Sequence, residues 1–200
     1  EGYVARQIKA AGARSVLGID ISSGMIEQAQ AQEQREAQGI EYRVGDASST
    51  LALPEAAFDR VVAVFLFNYV STAAMTEVMR GVHRWLAPGG RFVFTVPHPS
   101  LPFVRAEEPP FYFHGKGVGY FADKDRTLEG KIWRRDGVAV PVRCVHKPLE
   151  AYFTALSEAG WSCLPKLSEL RVRPEHIQLD PDFFSPLEEV PLHLLFSLER

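Results

Sequence analysis

Between Tyr3 and Val96 the chain alternates short apolar runs with segments in which apolar residues recur every three or four positions. No other feature narrows the fold as far. Strand-helix-strand order at this spacing makes neighbouring strands parallel and places helices on both faces of the sheet. Tyr3 to Ala11 reads as a helix with Val4, Ile8 and Ala11 on one face. Ser15 to Ile19 is an apolar run that ends at Asp20. Gly24 to Ala37 reads as a second helix, with Met25, Ile26 and Ala29 at its buried end and Ser22 and Ser23 as candidate caps. Ile40, Tyr42 and Val44 alternate with polar residues as a strand does. Phe58 to Phe67 is almost continuously apolar and predicts a strand buried on both faces. Met75, Val78, Met79, Val82, Trp85 and Leu86 mark an amphipathic helix, which Pro88-Gly89-Gly90 stops before a further strand from Arg91 to Val96.

The second half changes character. Pro97 to Val145 is rich in aromatic residues, glycine and proline, and predicts loops with short antiparallel strands, such as Lys131 to Arg134 against Val138 to Arg143 around Asp136-Gly137. A segment this long is no ordinary connection and calls for a function of its own. Pro148 to Ala159 is again helical, with Leu149, Tyr152, Phe153 and Leu156 on one face and Gly160 at the end. Trp161 to Leu164 and Leu192 to Leu198 are two more apolar runs. One domain spanning 1–200 is expected, with 97–145 as an insert.

Charge and composition exclude several classes. The net charge of -3 and the lack of any long lysine-arginine run argue against a nucleic-acid partner. No apolar run approaches the ~20 residues of a membrane helix. No basic stretch followed by an apolar core opens the chain, so a cytoplasmic enzyme is expected. The two cysteines, Cys144 and Cys163, have neither a Cys-x-x-Cys spacing nor a histidine at metal-ligand spacing, so no metal is expected.

The chemistry gathers at strand ends, beyond which ligands of an open parallel sheet bind. Glu1-Gly2 leads straight into a helix, where glycine allows close backbone approach and helix N-H groups remain free. Asp20 ends the first apolar run, a place from which a carboxylate can accept both hydroxyls of a ribose. Gly45-Asp46-Ala47 follows the next strand, and a carboxylate there can accept from an adenine amine. Phe58-Asp59 opens the long apolar run, Asn68-Tyr69 closes it, and Leu86-Ala87-Pro88-Gly89-Gly90 precedes the next strand. No motif is specific singly; order and spacing together are.

In that order the motifs resemble class I S-adenosylmethionine-dependent methyltransferases, above all those acting on quinones and small metabolites. The likeness covers Glu1 to Val96 well and Lys147 to Leu198 more loosely. It implies a Rossmann-like, mostly parallel α/β sheet and S-adenosylmethionine as methyl donor, with S-adenosylhomocysteine as product. It assigns Glu1 and Gly2 to the cofactor loop, Asp20 to the ribose, Met25 to the underside of adenine, and Asp46 with Ala47 to its edge, with Ile19 a further cofactor-binding candidate. Phe65, Leu66 and Tyr69 match positions facing the methionine part and the acceptor. The family's central strand and all but the last two positions of its cofactor loop fall ahead of Glu1, so about 40 further residues are expected upstream, ~6 of them in that strand. The Pro97-Val145 insert corresponds to the place where such enzymes carry a substrate cap.

On the acceptor side the residues support a small-molecule reading. His98 lies just past Val96 and, with Tyr69, is the candidate for orienting or deprotonating the acceptor. Phe111, Phe113, Tyr120, Trp133 and His146 are candidate walls for a flat aromatic or heterocyclic acceptor methylated at oxygen or nitrogen. His83, on an amphipathic helix face, reads as structural. Arg105, Lys116, Arg134 and Arg135 could meet an anionic substrate, though solvated surface is the simpler reading of four dispersed charges. Three rivals stand beside this one. A nicotinamide-dependent oxidoreductase shares the glycine loop and strand-end acid, but it does not account for Gly45-Asp46-Ala47 together with Leu86 to Gly90. A non-catalytic relative would have little reason to keep both Asp20 and Asp46. Base-amino methylation would call for an Asn/Asp-Pro-Pro-Tyr/Phe motif where Asn68-Tyr69-Val70-Ser71 stands.

Overall fold

The computed structural model describes residues 1–49, 51–115, 119–134 and 136–200. Lys116 and Arg135 lie outside the described residues. The chain divides into two compact units, Glu1–Pro54 and Glu55–Arg200.

The first unit follows the expected alternation closely. Helix α1 (Tyr3–Ala10) leads to strand β1 (Val16–Asp20), helix α2 (Ser23–Arg35) and strand β2 (Ile40–Val44). β1 and β2 pair in parallel, Val16 opposite Ile40 and Asp20 opposite Val44. Ser22 caps α2, its hydroxyl accepting the Met25 N-H at 3.3 Å. Glu33 closes the far end of that helix by accepting three N-H groups, from Gln38, Gly39 and Ile40. The core of this unit is Ile26, Ala29, Ile40 and Tyr42, against which Ala5 and Val16 pack. Met25 departs from its expected place with these core residues: in the first turn of α2, where its N-H bonds the Ser22 cap, it is 41% exposed.

The second unit holds two sheets. In the larger, strand β3 (Phe58–Val64) pairs in parallel with β4 (Leu86–Pro97). β4 pairs antiparallel with β9 (His193–Glu199), and β9 antiparallel with β8 (Lys166–Leu170), in the order β3-β4-β9-β8. Helix α3 (Thr72–Trp85) buries Met75, Val78, Met79, Val82 and Trp85, and helix α5 (Leu149–Glu158) buries Ala151, Tyr152, Ala155 and Leu156. Phe67, Phe92, Phe94 and Phe196 are fully buried. Trp161 stacks on Phe92 and donates its indole N-H to Met79 at 3.2 Å. His83 meets Trp161 edge-on at 5.1 Å, in the packing role expected of it.

Two expectations for β3 change. The strand stops at Val64 rather than Phe67, because Phe65 has a left-handed φ of 53° and turns the chain out of extended geometry. It is also not buried on both faces: as an edge strand it leaves Val62 and Val64 40% and 43% exposed.

The insert forms the smaller sheet, β5 (Phe111–Phe113), β6 (Thr127–Trp133) and β7 (Ala139–Val145), antiparallel throughout. It is preceded by the short helix α4 (Leu101–Val104) and closed by the expected turn at Asp136-Gly137. Helices α6 (Pro174–Leu179) and α7 (Pro181–Phe184) precede β9. Among the described residues no helix is long and apolar enough to cross a membrane.

Candidate cofactor and acceptor sites

The first unit brings Asp20 and Asp46 to the same end of one parallel pair. Asp20 is the last residue of β1, and the Gly45 N-H just past β2 donates to its carbonyl oxygen at 2.9 Å. Each carboxylate spends one oxygen on its own loop. Asp20 Oδ1 accepts the Ser22 N-H at 2.9 Å. Asp46 Oδ1 accepts the Ser48 N-H at 2.8 Å and the Ser48 hydroxyl at 2.7 Å, and these two bonds hold its carboxyl below the usual range. Both Oδ2 atoms are left without a hydrogen-bond partner among the described residues. The loops thus aim two anionic acceptors while keeping one lone-pair-bearing oxygen of each open.

Apolar groups stand exposed beside them: Ile21 at 69%, Val44 at 56% and Met25. Exposed aliphatic side chains flanking two fixed carboxylates suit a flat, apolar-faced ring with polar edges. Ile19 sits in β1 opposite Arg43, and Ala47 lies in the turn closed by Ser49 N-H to Asp46 carbonyl at 3.2 Å. Gly2 caps α1 in left-handed geometry with no side-chain cap, so the first helical N-H groups face outward. Tyr42 reaches over from β2 to the Gly2 carbonyl at 3.5 Å.

In the second unit, Pro97 ends β4, His193 opens β9 opposite it, and Leu170 ends β8 opposite His193, so all three strands reach one sheet edge. His98 stands there as expected. Its Nδ1 accepts from the Ser100 N-H at 3.2 Å and contacts the Ser100 hydroxyl at 2.7 Å. That leaves the proton on Nε2, which donates to Glu169 Oε1 at 3.2 Å. Both ring nitrogens are therefore already engaged. Tyr69 is 62% exposed, its hydroxyl free to meet a ligand, while Phe65 packs on His193 at 4.9 Å and Leu66 lies in the same turn, its carbonyl accepting the Tyr69 N-H.

The insert sorts its candidates by burial. Phe111 lies flat against His193 at 6.4 Å, and Trp133 is half-buried beside Tyr112. Phe113 is buried in a cluster with Leu101, Leu128 and Cys144. Tyr120 and His146 tie the insert to α5: His146 Nε2 meets the Tyr120 carbonyl at 2.8 Å, and the Tyr120 hydroxyl accepts the Leu149 N-H at 2.8 Å. Burial depresses the His146 pKa and keeps the ring neutral. Arg105 proves not to be solvated surface. It is buried, bonding the carbonyls of Phe111 and Pro109 at 2.6 Å each, because the chain around Glu108 turns its carbonyls inward. Arg134 pairs at the surface with Asp136 at 3.0 Å.

Three residues carry more of this architecture than sequence reading assigned them. His193 joins Phe65 and Phe111, with burial pushing its pKa down to about 4. Lys147 is buried and donates to the carbonyls of Phe67, Val70 and Val145. Asn68 is buried beside these contacts. A lysine and an asparagine flanked by apolar runs were the available signals, but nothing in the sequence pairs positions so far apart.

Comparison with known proteins agrees with this geometry. Residues 1–90 match the methyltransferase domain family. A solved S-adenosylmethionine-dependent methyltransferase from Mesorhizobium loti is 26% identical, with a TM-score of 0.70 over 100% of this chain and 86% of that one. A structure described as a putative S-adenosylmethionine-dependent methyltransferase, from Listeria monocytogenes, is 22% identical, with a TM-score of 0.69 over 100% and 85%. The CcbJ methyltransferase of Streptomyces caelestis shares the fold at 18% identity, with a TM-score of 0.65 over 98% and 78%. No curated protein matches in sequence. Residues 1–90 thus match a methyltransferase domain, and the whole chain is similar in fold to S-adenosylmethionine-dependent methyltransferases, which supports an enzyme that uses S-adenosylmethionine as methyl donor and releases S-adenosylhomocysteine.

Proposed function

We propose that this methyltransferase acts on oxygen or nitrogen of a small aromatic or heterocyclic molecule. The observation behind the cofactor half of the reading is the pair Asp20 and Asp46, anchored through one oxygen each at the tips of adjacent parallel strands. Asp20 would take the ribose hydroxyls, Asp46 the adenine amine, and Met25 the adenine face, with Ile19 and Ala47 beside them and Glu1-Gly2 offering backbone to the donor. Phe65 and Leu66 would face its methionine part.

The bound donor supplies an activated methyl group on a sulfonium. The acceptor heteroatom forms a bond to the methyl carbon as the carbon-sulfur bond breaks, and its electron pair stays on sulfur. The acceptor's proton leaves to solvent or to a nearby base. The protein's share is alignment, which is catalysis by proximity and orientation. Tyr69 is proposed to orient the acceptor. His98, held by Ser100 and Glu169, would fix the rim of the acceptor site.

Residues 97–145 are proposed as the acceptor's cap, with Phe111 and Trp133 as its half-buried aromatic faces and Phe113, Tyr120 and His146 as the framework behind them. Aromatic faces with few polar groups favour a flat, mostly apolar acceptor. The net charge of -3 favours a small molecule over nucleic acid.

The test has two parts. Calorimetric titration with S-adenosylhomocysteine should show binding and titration with NAD should show none; binding of NAD alone would overturn the cofactor reading. Label transfer from methyl-labelled S-adenosylmethionine to a panel of phenols, anilines and nitrogen heterocycles should then find an acceptor. Transfer only to protein or nucleic acid would overturn the acceptor class.

A further inference from the structure

The turn after β3 combines a fixed main chain with an unused side chain. The Asn68 carbonyl accepts the Val145 N-H at 2.7 Å. On either side, the Phe67 and Val70 carbonyls accept from Lys147 Nζ at 2.8 and 2.5 Å, and a third bond runs from Nζ to the Val145 carbonyl at 3.2 Å. An ammonium has three protons, and here each finds an acceptor. Three of the turn's carbonyls are thus committed to one short segment at the end of the insert. Asp125 adds a fourth tie, its Oδ1 accepting both the N-H and the hydroxyl of Thr72.

Against that, the Asn68 carboxamide stands out. The residue is 6% exposed, and its Oδ1 is buried with no hydrogen-bond partner among the described residues. Ser22 and Ser48 are spent on their own loops, whereas the Thr95 hydroxyl in β4 shares with Asn68 the lack of a partner among the described residues. A buried carbonyl oxygen that receives no proton carries its desolvation penalty in full. Such a cost persists where a ligand meets the group. The neighbouring Tyr69 faces outward from the same turn, so one short segment presents a phenol and an amide together.

We propose that the Asn68 carboxamide receives the N-H or O-H of the acceptor's reacting heteroatom, and that Lys147 is the positioning residue that holds Asn68 in place. The inference rests on the methyltransferase reading and narrows it. An amide oxygen accepts a hydrogen bond but offers no charge, so the acceptor enters with hydrogen on the atom to be methylated: a phenol, a primary or secondary amine, or a ring N-H. Tertiary amines are excluded.

The experiment compares Asn68→Leu with the wild-type protein in full-length form. With its unpaired oxygen removed and volume kept, Asn68→Leu should melt at the same temperature as wild type or a few degrees higher. A lower melting temperature would show that the amide serves the fold and would overturn the proposal. Transfer of labelled methyl to phenol, aniline and imidazole should fall at least roughly tenfold in kcat/KM for whichever probe the wild type methylates. S-adenosylhomocysteine affinity should stay within about twofold, as expected of a residue that meets the acceptor alone. Undiminished transfer would overturn the proposal. Wild-type binding of S-adenosylhomocysteine is the separate check on the underlying reading, and its failure leaves the melting comparison decisive. For Lys147, replacement by arginine should restore part of the transfer that Lys147→Met loses; equal loss in both would remove its positioning role.

Discussion

The N-H of Gly45 donates to the carbonyl oxygen of Asp20 at 2.9 Å, one residue beyond the point where β1 and β2 finish in register. That bond is what brings Asp46 to the same level as Asp20. Each carboxylate keeps one oxygen outside its own loop, so each should contribute separately to cofactor binding. Asp20→Ala and Asp46→Ala are expected to weaken S-adenosylhomocysteine binding by roughly 10- to 100-fold each, the worth of hydrogen bonds to a charged group. Asp20 is exposed, so Asp20→Ala should leave the melting temperature nearly unchanged. Calorimetric titration beside a thermal melt checks both statements.

Gly2 answers to two constraints at once. Its φ is 72°, and a Cβ there would collide with the Tyr42 ring. Gly12 has a φ of 100° with nothing near the place a Cβ would take. Gly12→Ala should therefore cost only the left-handed strain, about 1–2 kcal/mol. Gly2→Ala should cost that and a further ~1–3 kcal/mol for displacing a packed ring. Urea unfolding of the two variants separates strain from collision, and equal losses would mean that Tyr42 gives way freely.

The pH dependence of stability follows from His193. Burial lowers its pKa to about 4 in the fold, against the 6.5 of an exposed histidine. Between those values the unfolded chain binds the extra proton, so stability rises with pH through this window and is lost as pH falls. From pH 7 to pH 5 the loss should be about 2 kcal/mol. His146, also lowered by burial, acts in the same direction. Asp46 acts only at lower pH: its depressed carboxyl gives stability present above the usual value of 3.8 and lost below it. His193→Phe should flatten the pH 5 to 7 limb in urea titrations while keeping the contacts to Phe65 and Phe111. A limb of unchanged steepness would assign the proton elsewhere.

These tests fall on both sides of what the sequence made legible. α1 through β4 could be read because a buried parallel strand and an amphipathic helix each leave a period in the sequence. β8 left none, since Lys166–Leu170 reads Lys-Leu-Ser-Glu-Leu, apolar only at its second and fifth residues. Asp20 and Asp46 were legible because strand ends fix where they stand. The engagement of His98 was not, because Glu169 meets it from a strand 71 residues later. Arg105 misled for a different reason: its partners, the carbonyls of Pro109 and Phe111, lie close by in the chain, but main-chain acceptors carry no residue-type signal, so the charge reads as surface. Local period shows in a sequence, whereas polar pairing across long separations does not.

The aromatic core of the second unit links stability to the turn at Asn68. Phe94 stacks on Phe196 at 4.5 Å and 8°, and meets Phe67 nearly edge-on at 5.1 Å. Phe67, fully buried, is the residue before Asn68, and its own carbonyl is one of those held by Lys147. Phe94→Ala should therefore cost ~3–5 kcal/mol, the usual loss for a fully buried phenylalanine. Part of that loss should reach the turn, since the cavity opens beside Phe67. Hydrogen exchange would show it as faster exchange at Val145, whose N-H depends on the Asn68 carbonyl, along with the expected loss in β4 and β9. Phe94→Leu fills more of the space and should recover most of both effects. If Val145 keeps its protection while the strands lose theirs, the turn is held by Lys147 and Asp125 alone, and the ring beneath it serves only the sheet.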